Sequence, residues 1–373
     1  MKITISKRAL SEAISAVSSV IRTRTTLPVL SRIKLDACKS ATSLYGTDLD
    51  CAYVRTVEAS VIEPGTVLLP ASRVREWLGV VDGANVTIEA DDSQLHLSTE
   101  GSGRINFSTM KADEFPPLPA TDGKPVATVD LAPLKHIAWS MMQDDLSRPA
   151  LCAACIDAEG DALLIGATTD GRKLGTVALP AQIDAGWNKE PIQIPADYVG
   201  MVSGIGECAL AESENNLFFT TATEKVIVRK STEVFPKWRQ YVDLKKFPIV
   251  GSITVMRDEF ASAIGQCHIL RGDQIGSERG VRIEISKEGD GMLVEVSMQG
   301  TGDSFRTVIE GRSKGKFPKM VLDTQHLYPF TLLKDESPLQ IEFTSDRTLV
   351  HMHAPDIGVK YFFMPCMPVE AKK

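Results

Sequence analysis

Apolar and polar positions recur along this chain with two spacings, one helical and one strand-like. Six segments carry apolar residues at helical intervals, and a short alternating run of the kind that forms strands precedes each of them. Successive segments begin 59 to 67 residues apart, which predicts a repeated unit of one helix followed by several short strands. The segments begin near Ser6, Ala71, Asp130, Pro195, Met256 and Asp323.

The six segments are of two alternating kinds, so the larger repeat contains two units and spans 124 to 128 residues. The odd segments follow runs such as KITI or SITV, and Ser6 and Asp130 are residue types that commonly cap a helix. The even segments follow apolar strands that end in a proline or aspartate turn. The pattern predicts an α+β fold with half-buried antiparallel strands. It divides the chain into three similar domains, 1–121, 122–246 and 247–373.

The composition and net charge of the chain restrict the kinds of function it can have. The chain has 373 residues and a net charge of −7, whereas a domain that grips DNA through its phosphates is usually basic. Any DNA contact must therefore come from a local basic surface on an acidic body, which suits a protein held on DNA by topology. The seven scattered cysteines, together with the lack of a leader or a membrane span, favour a reducing cytoplasm.

The motifs that signal catalysis are missing from the sequence, so we expect no enzyme and no cofactor. There is no phosphate-cradling GxxxxGK[ST] loop and no GxSxG elbow. The pair Asp48 and Asp50 lies in a predicted turn without further metal-site context. Cys152 and Cys155 fall on a strand and are interpreted as core. His351 and His353 share a strand face but have no third ligand in a motif, so they are interpreted as surface histidines.

Seven segments, in this order and with this spacing, resemble the bacterial DNA polymerase III beta subunits, the sliding clamps, over essentially the whole chain. They are RTTLPVLSRIKL (24–35), YGTDLD (45–50), FSTMKADEFPPLP (107–119), ATTDGRKL (167–174), VFPKWRQY (234–241), RGVRIEIS (279–286) and YFFMP (361–365). The resemblance implies the clamp fold, with three domains per chain and a head-to-tail homodimer that closes into a ring around duplex DNA. It also implies a clamp loader as partner, and it implies that the DNA polymerase III alpha subunit, other polymerases and repair proteins bind through short peptides.

The resemblance implies three sites. Basic residues on or beside the helices would face the DNA without reading its sequence, chiefly Arg24 and Arg73, with Lys7, Lys135 and Arg148 and also Arg8, Arg22, Arg75 and Arg257. A peptide groove would be formed by Arg148, Leu151, Thr169, Gly171, Arg172, Lys173, Leu174, Pro236, Tyr241, Thr348, Phe362, Phe363, Met364, Pro365 and Cys366. The dimer interface would use an edge strand with Ile105 and Phe107 against Ile269 and Leu270, expected just after the fifth helical segment.

Two alternatives stay open at this point. The chain departs from the family at Arg172-Lys173, at Gln240 and in its extended C-terminus. It could therefore be a divergent dimeric scaffold that binds peptides and no longer supports replication. A metal-dependent nuclease would instead need carboxylates such as Asp48 or Asp170 for turnover.

Overall fold

The structure is a computed structural model that describes residues 1–22, 26–91, 93–101, 103–119, 123–143, 145, 147–271, 280–288, 291–299, 304–316, 321–344 and 349–365. In these ranges the α-helices are α1 (Lys7–Val17), α2 (Ala71–Val80), α3 (Ala196–Ile205), α4 (Arg257–Arg271) and α5 (Thr324–Thr331). None of the helices in these ranges is both long and apolar enough to cross a membrane.

Contacts between residues divide the chain into two compact units. The first consists of Met1–Ala132, Ala181–Asn188 and Gly204–Lys230, and the second of Pro133–Pro180, Lys189–Ser203 and Ser231–Lys373. The division into three repeats at 1–121, 122–246 and 247–373 stays a prediction.

The first unit contains two antiparallel sheets. One has the order β5-β1-β7-β8-β9, formed by β1 (Lys2–Ser6), β5 (Ala59–Glu63), β7 (Asn85–Ala90), β8 (Gln94–Thr99) and β9 (Ile105–Ser108). The other has the order β6-β2-β3-β4-β17-β16-β15-β10, formed by β2 (Arg32–Ala37), β3 (Thr42–Thr47), β4 (Cys51–Val57), β6 (Gly65–Pro70), β10 (Lys124–Asp130), β15 (Glu207–Glu212), β16 (Asn216–Thr220) and β17 (Glu224–Arg229).

The second unit contains one long antiparallel sheet. Its order is β14-β11-β12-β13-β25-β24-β23-β18-β21-β20-β19-β22. The strands are β11 (Ala153–Ala158), β12 (Leu163–Thr169), β13 (Lys173–Ile183), β14 (Ile192–Pro195), β18 (Ile249–Val255), β19 (Gly280–Glu288), β20 (Gly291–Gln299), β21 (Ser304–Gly315), β22 (Val321–Asp323), β23 (Leu339–Thr344), β24 (Val350–Ala354) and β25 (Val359–Phe363). Residues Lys173–Pro180 of β13 belong to this unit.

Each unit has a core between helices and sheet. In the first, α1 turns Leu10, Ile14 and Val17 inward and packs against α2 and β4. In the second, α4 buries Phe260 and Ile264 and packs against α5. Strands such as β2 and β8 alternate between buried and half-exposed residues, which confirms the predicted half-buried strands.

The third helical segment is the exception to the predicted pattern. It forms two short 3-10 helices, Ala132–His136 and Ala138–Ser140, in place of an α-helix. The carbonyl of Ile137 accepts hydrogen bonds from the Ser140 N–H and from the hydroxyls of Ser140 and Thr168. Met141 N–H donates to the Ala138 carbonyl, so the bonds in this turn follow the tighter i to i+3 pattern. The hydroxyls of Ser140 and Thr168 thus favour 3-10 geometry here over the α-helix that the apolar spacing predicted.

The helix caps agree only in part with the sequence. Ser6 makes no side-chain bond to the first turn of α1, so its predicted role as a cap is wrong. The carboxylate of Asp130 does accept the Ala132 N–H at 2.9 Å, and Asp323 accepts the Gln325 N–H at 2.8 Å at the start of α5.

Two turns repeat in atomic detail. In the first, the Asp48 carboxylate accepts the N–H groups of Asp50 and Cys51, and the Thr47 hydroxyl donates to the Cys51 carbonyl. In the second, Asp170 accepts the N–H groups of Arg172 and Lys173, and Thr169 donates to the Lys173 carbonyl. The middle residue is Leu49 with φ 84° in the first turn and Gly171 with φ 88° in the second. Only glycine adopts this left-handed conformation without strain.

The paired turns predict opposite effects of exchanging the middle residue. Leu49→Gly should raise the free energy of unfolding by about 0.5–1 kcal/mol, because the backbone strain is removed and little packing is lost from a side chain that is 56% exposed. Gly171→Ala should lower it by about 1 kcal/mol through strain alone, since a Cβ there would lie 3.7 Å from its nearest neighbour, Leu151. Urea unfolding of both variants checks this, and changes of the same sign would contradict it.

Candidate functional site

The second unit carries an apolar groove with a volume of about 520 Å³. Such volumes suit a ligand that buries a few side chains, since small-ligand pockets span roughly 300–1,000 Å³. The groove is lined by Leu151, Thr169, Gly171, Arg172, Lys173, Leu174, Pro236, Trp238, Tyr241, Val242, Phe247, Leu349, Phe362 and Met364.

Strand pairing builds the floor of the groove. β13 pairs with β25 so that Leu174 lies opposite Phe362. Opposite residues of an antiparallel pair share one face, so both side chains reach the same side of the sheet. They are 7% and 5% exposed and belong to one buried cluster with Ile165, Phe235 and Trp238. The floor is therefore rigid core, open on one side.

A short 3-10 helix, Trp238–Tyr241, forms one wall. The guanidinium of Arg239 lies 4.5 Å from the centre of the Trp238 ring, and its Nε donates to Asp157 at 2.8 Å. This stacking and ion pairing hold the indole against the floor. Tyr241, at the end of the helix, is 57% exposed and forms part of the rim.

The turn at Asp170 forms the opposite rim. Its hydrogen bonds present Gly171 and Arg172 to the groove, and the Lys173 ammonium pairs with Asp170 at 3.6 Å. The Arg172 carbonyl accepts the Met364 N–H at 3.2 Å, which ties the end of β25 to this turn. Met364 is 55% exposed, so its flexible side chain is free to adapt to a ligand.

Ten of the predicted groove residues line the groove, and three described ones do not. Phe363 is fully buried and packs toward Tyr361 and His326, because successive residues of a strand point to opposite faces. Arg148 pairs with Asp145, and Pro365 is not part of the lining. Thr348 and Cys366 lie outside the described residues. The structure adds Trp238, Val242, Phe247 and Leu349, of which Trp238 and Val242 flank Tyr241 closely in the sequence.

The basic residues expected to face DNA have different surroundings. Arg73 on α2 and Lys135 in the second unit are exposed, as is Arg148. Lys7 is half-buried and donates to the Val81 carbonyl. Three further arginines form ion pairs and are not free cations on a helix surface. Arg8 pairs with Glu12, Arg22 pairs with Asp48, and Arg257 is only 6% exposed and pairs with Asp335 at 3.4 Å, so it cannot be a surface contact. Arg24 lies outside the described residues.

The residues expected at a dimer interface lie on two elements, strand β9 and helix α4. Ile105 and Phe107 are on β9, which ends the five-stranded sheet among the described strands. Ile105 is half-buried, and Phe107 is 9% exposed. Ile269 and Leu270 lie in the last turn of α4, not after that helix as the sequence suggested. Ile269 is 78% exposed, an unusual position for an isoleucine.

The cysteine and aspartate side chains that could have indicated an enzyme have structural roles. Cys155 is buried, and burial raises the pKa of its thiol to about 12, as suits an inert core cysteine. The carboxylates of Asp48 and Asp170 accept backbone N–H groups within their own turns. The interpretation of His351 as a surface residue is wrong, because it is 2% exposed. It and His353 contact Glu342, which lies nine and eleven residues earlier on the neighbouring strand and belongs to no motif.

Comparisons with known proteins agree on one family. A family model for the DNA polymerase III beta subunit, N-terminal domain, matches residues 1–119. The beta sliding clamp of Proteus mirabilis is 31% identical over 305 residues, covering 77% of this chain and 78% of that protein. The DNA polymerase sliding clamp from Bacillus subtilis has a similar structure, with a TM-score of 0.86, 19% identity and coverage of 99% of this chain and 100% of that chain.

A second similar structure is the beta sliding clamp of C. crescentus, with polyethylene glycol bound at its beta-motif tethering region. Its TM-score is 0.83, with 20% identity over 99% of both chains. These likenesses show the α+β clamp fold, which confirms the expected fold class.

Proposed function

This chain belongs to the beta sliding clamp family, and from that premise we propose that it encircles duplex DNA as a homodimer and tethers polymerases and repair factors to it. Sliding clamps are processivity factors and not enzymes, in keeping with a site that is an apolar groove. The groove is the observation that carries the proposal, because an open apolar cleft with a rigid floor suits capture of a short peptide.

The groove's chemistry favours a peptide with hydrophobic anchors. Leu174, Phe362 and Trp238 form a dry floor for an aliphatic or aromatic side chain. Arg172 supplies positive charge at the rim, which suits an acidic residue beside the anchor. We infer that the clamp loader, the DNA polymerase III alpha subunit and repair proteins compete for this groove with such peptides.

The rim should govern peptide affinity without affecting stability. Tyr241→Ala and Met364→Ala remove exposed side chains, so each should weaken binding of a fluorescent peptide with leucine and phenylalanine anchors by about tenfold or more. Fluorescence anisotropy measures this. Leu332→Ala is the matched control, because Leu332 is 62% exposed in the same unit and does not line the groove. Equal affinities in all variants would place the binding site elsewhere.

The surface positions named above support a head-to-tail dimer. β9 offers an unpaired strand edge among the described strands, and Ile269 offers an apolar side chain that is largely in solvent in the single chain. An edge and an apolar patch on different units make a heterologous contact, which closes a ring when two copies join twice.

Ile269→Glu should therefore convert the dimer to monomers. A charge at the centre of an apolar interface costs several kcal/mol, while the same change on an exposed residue leaves the fold intact. Light scattering after size exclusion gives the mass. Val234→Glu is the control, since Val234 is 82% exposed and takes no part in the proposed contact. A dimer that survives Ile269→Glu would overturn this interface.

Retention on DNA tests the topological mechanism. After loading onto nicked circular DNA by an ATP-driven clamp loader, the protein should stay bound at high salt and be lost when the circle is cut, because only topology holds it. Gel filtration of labelled protein before and after cutting measures this. Equal retention on linear DNA would indicate phosphate binding. Peptide binding without retention on the circle would favour the alternative of a dimeric scaffold.

A further inference from the structure

A cluster of three metal-ligand side chains lies on the long sheet of the second unit, outside the groove lining. β23 and β24 pair so that Glu342 lies opposite His351 and Gln340 lies opposite His353. Residues two apart on a strand share a face, so Glu342, His351 and His353 all project from the same side. Their ligand atoms lie within 4.8 Å of one another.

We propose that Glu342, His351 and His353 bind one divalent transition-metal ion of the zinc type. Two imidazoles and one carboxylate form a donor set that zinc uses with a fourth, exchangeable ligand, and imidazole also suits nickel and cobalt. Magnesium and calcium prefer sites made of oxygen donors.

The distances suit a tetrahedral ion. Glu342 Oε2 lies 3.1 Å from His351 Nδ1 and 3.0 Å from His353 Nε2. In a tetrahedral zinc site with ligand bonds near 2.0–2.2 Å, the ligand atoms are about 3.3 Å apart. Both distances from the carboxylate oxygen are therefore within a few tenths of an ångström of the spacing in such a site.

Hydrogen bonding alone accounts poorly for the cluster. Both imidazoles share one carboxylate oxygen, and their ring centres are only 3.6 Å apart. One carboxylate oxygen thus lies 3.1 Å and 3.0 Å from two imidazole nitrogens, which is the close grouping of oxygen and nitrogen donors found around a single ion.

A neighbouring side chain orients the carboxylate ligand. Gln340 donates to Glu342 Oε1 at 2.9 Å, which orients the carboxylate as an outer-shell partner does in metal sites.

One neighbouring charge opposes the ion. Lys360 lies opposite His353 on β25 and is exposed. Its ammonium repels a cation, so it should reduce the affinity without blocking the site. His351 also stacks on Phe362 with ring centres 4.1 Å apart, so an ion that fixes His351 would also brace the groove floor.

Calorimetric titration of zinc into the chelator-treated full chain tests the site. Cys38 is exposed and Cys366 is outside the described residues, so both are replaced by serine in the background to remove competing thiolates. We expect one zinc ion per chain and a Kd that rises at least tenfold in His353→Ala and in the near-isosteric Glu342→Gln. Lys360→Gln should tighten binding severalfold.

The matched control is His96→Ala, which removes a half-exposed histidine that contacts Asn106 in the first unit. Its affinity for zinc should equal that of the background. Cobalt bound to the background protein should give a tetrahedral visible spectrum without a thiolate band. No zinc binding, or binding that His353→Ala and Glu342→Gln both leave unchanged, would overturn the proposal.

Discussion

The pairing of β13 with β25 is the constraint on which the groove depends. These strands come from distant parts of the chain, and their backbone hydrogen bonds set Leu174 opposite Phe362 and Lys173 opposite Phe363. Because side chains alternate between faces, a slip of one residue would exchange Phe362 for Phe363 in the groove. Register thus decides which of two adjacent phenylalanines meets a ligand and which fills the core.

The groove combines a fixed floor with an adaptable rim. Arg239 holds Trp238 by stacking and by its ion pair with Asp157. The side chains of the floor therefore lose little conformational entropy when a ligand binds. Tyr241 and Met364 are more than half exposed and supply the part that adjusts. A preorganised floor favours affinity, while a flexible rim permits several partners to share one site.

The sheet that forms the groove floor also carries the proposed metal site beside it. From Leu174 through Phe362 to His351 and Glu342, successive strands present neighbouring side chains on one face. The apolar groove and the proposed metal site therefore share a structural base, with the stacked rings of His351 and Phe362 between them. The stacked rings and the strands that hold them thus connect the two sites directly.

The sequence by itself determined the helix and strand types and most of the groove lining, because these follow from local periodicity and from a family resemblance carried by contiguous motifs. Five of the six helical segments form α-helices. Tertiary structure decided the rest. The third segment tightened because Ser140 and Thr168 compete for the Ile137 carbonyl. The triad with Glu342 escaped detection because strand register, and not sequence spacing, brings it together. Thr168 is 31 residues from Ile137, and Glu342 lies on a different strand from both histidines, so the apolar spacing within one segment encodes neither contact.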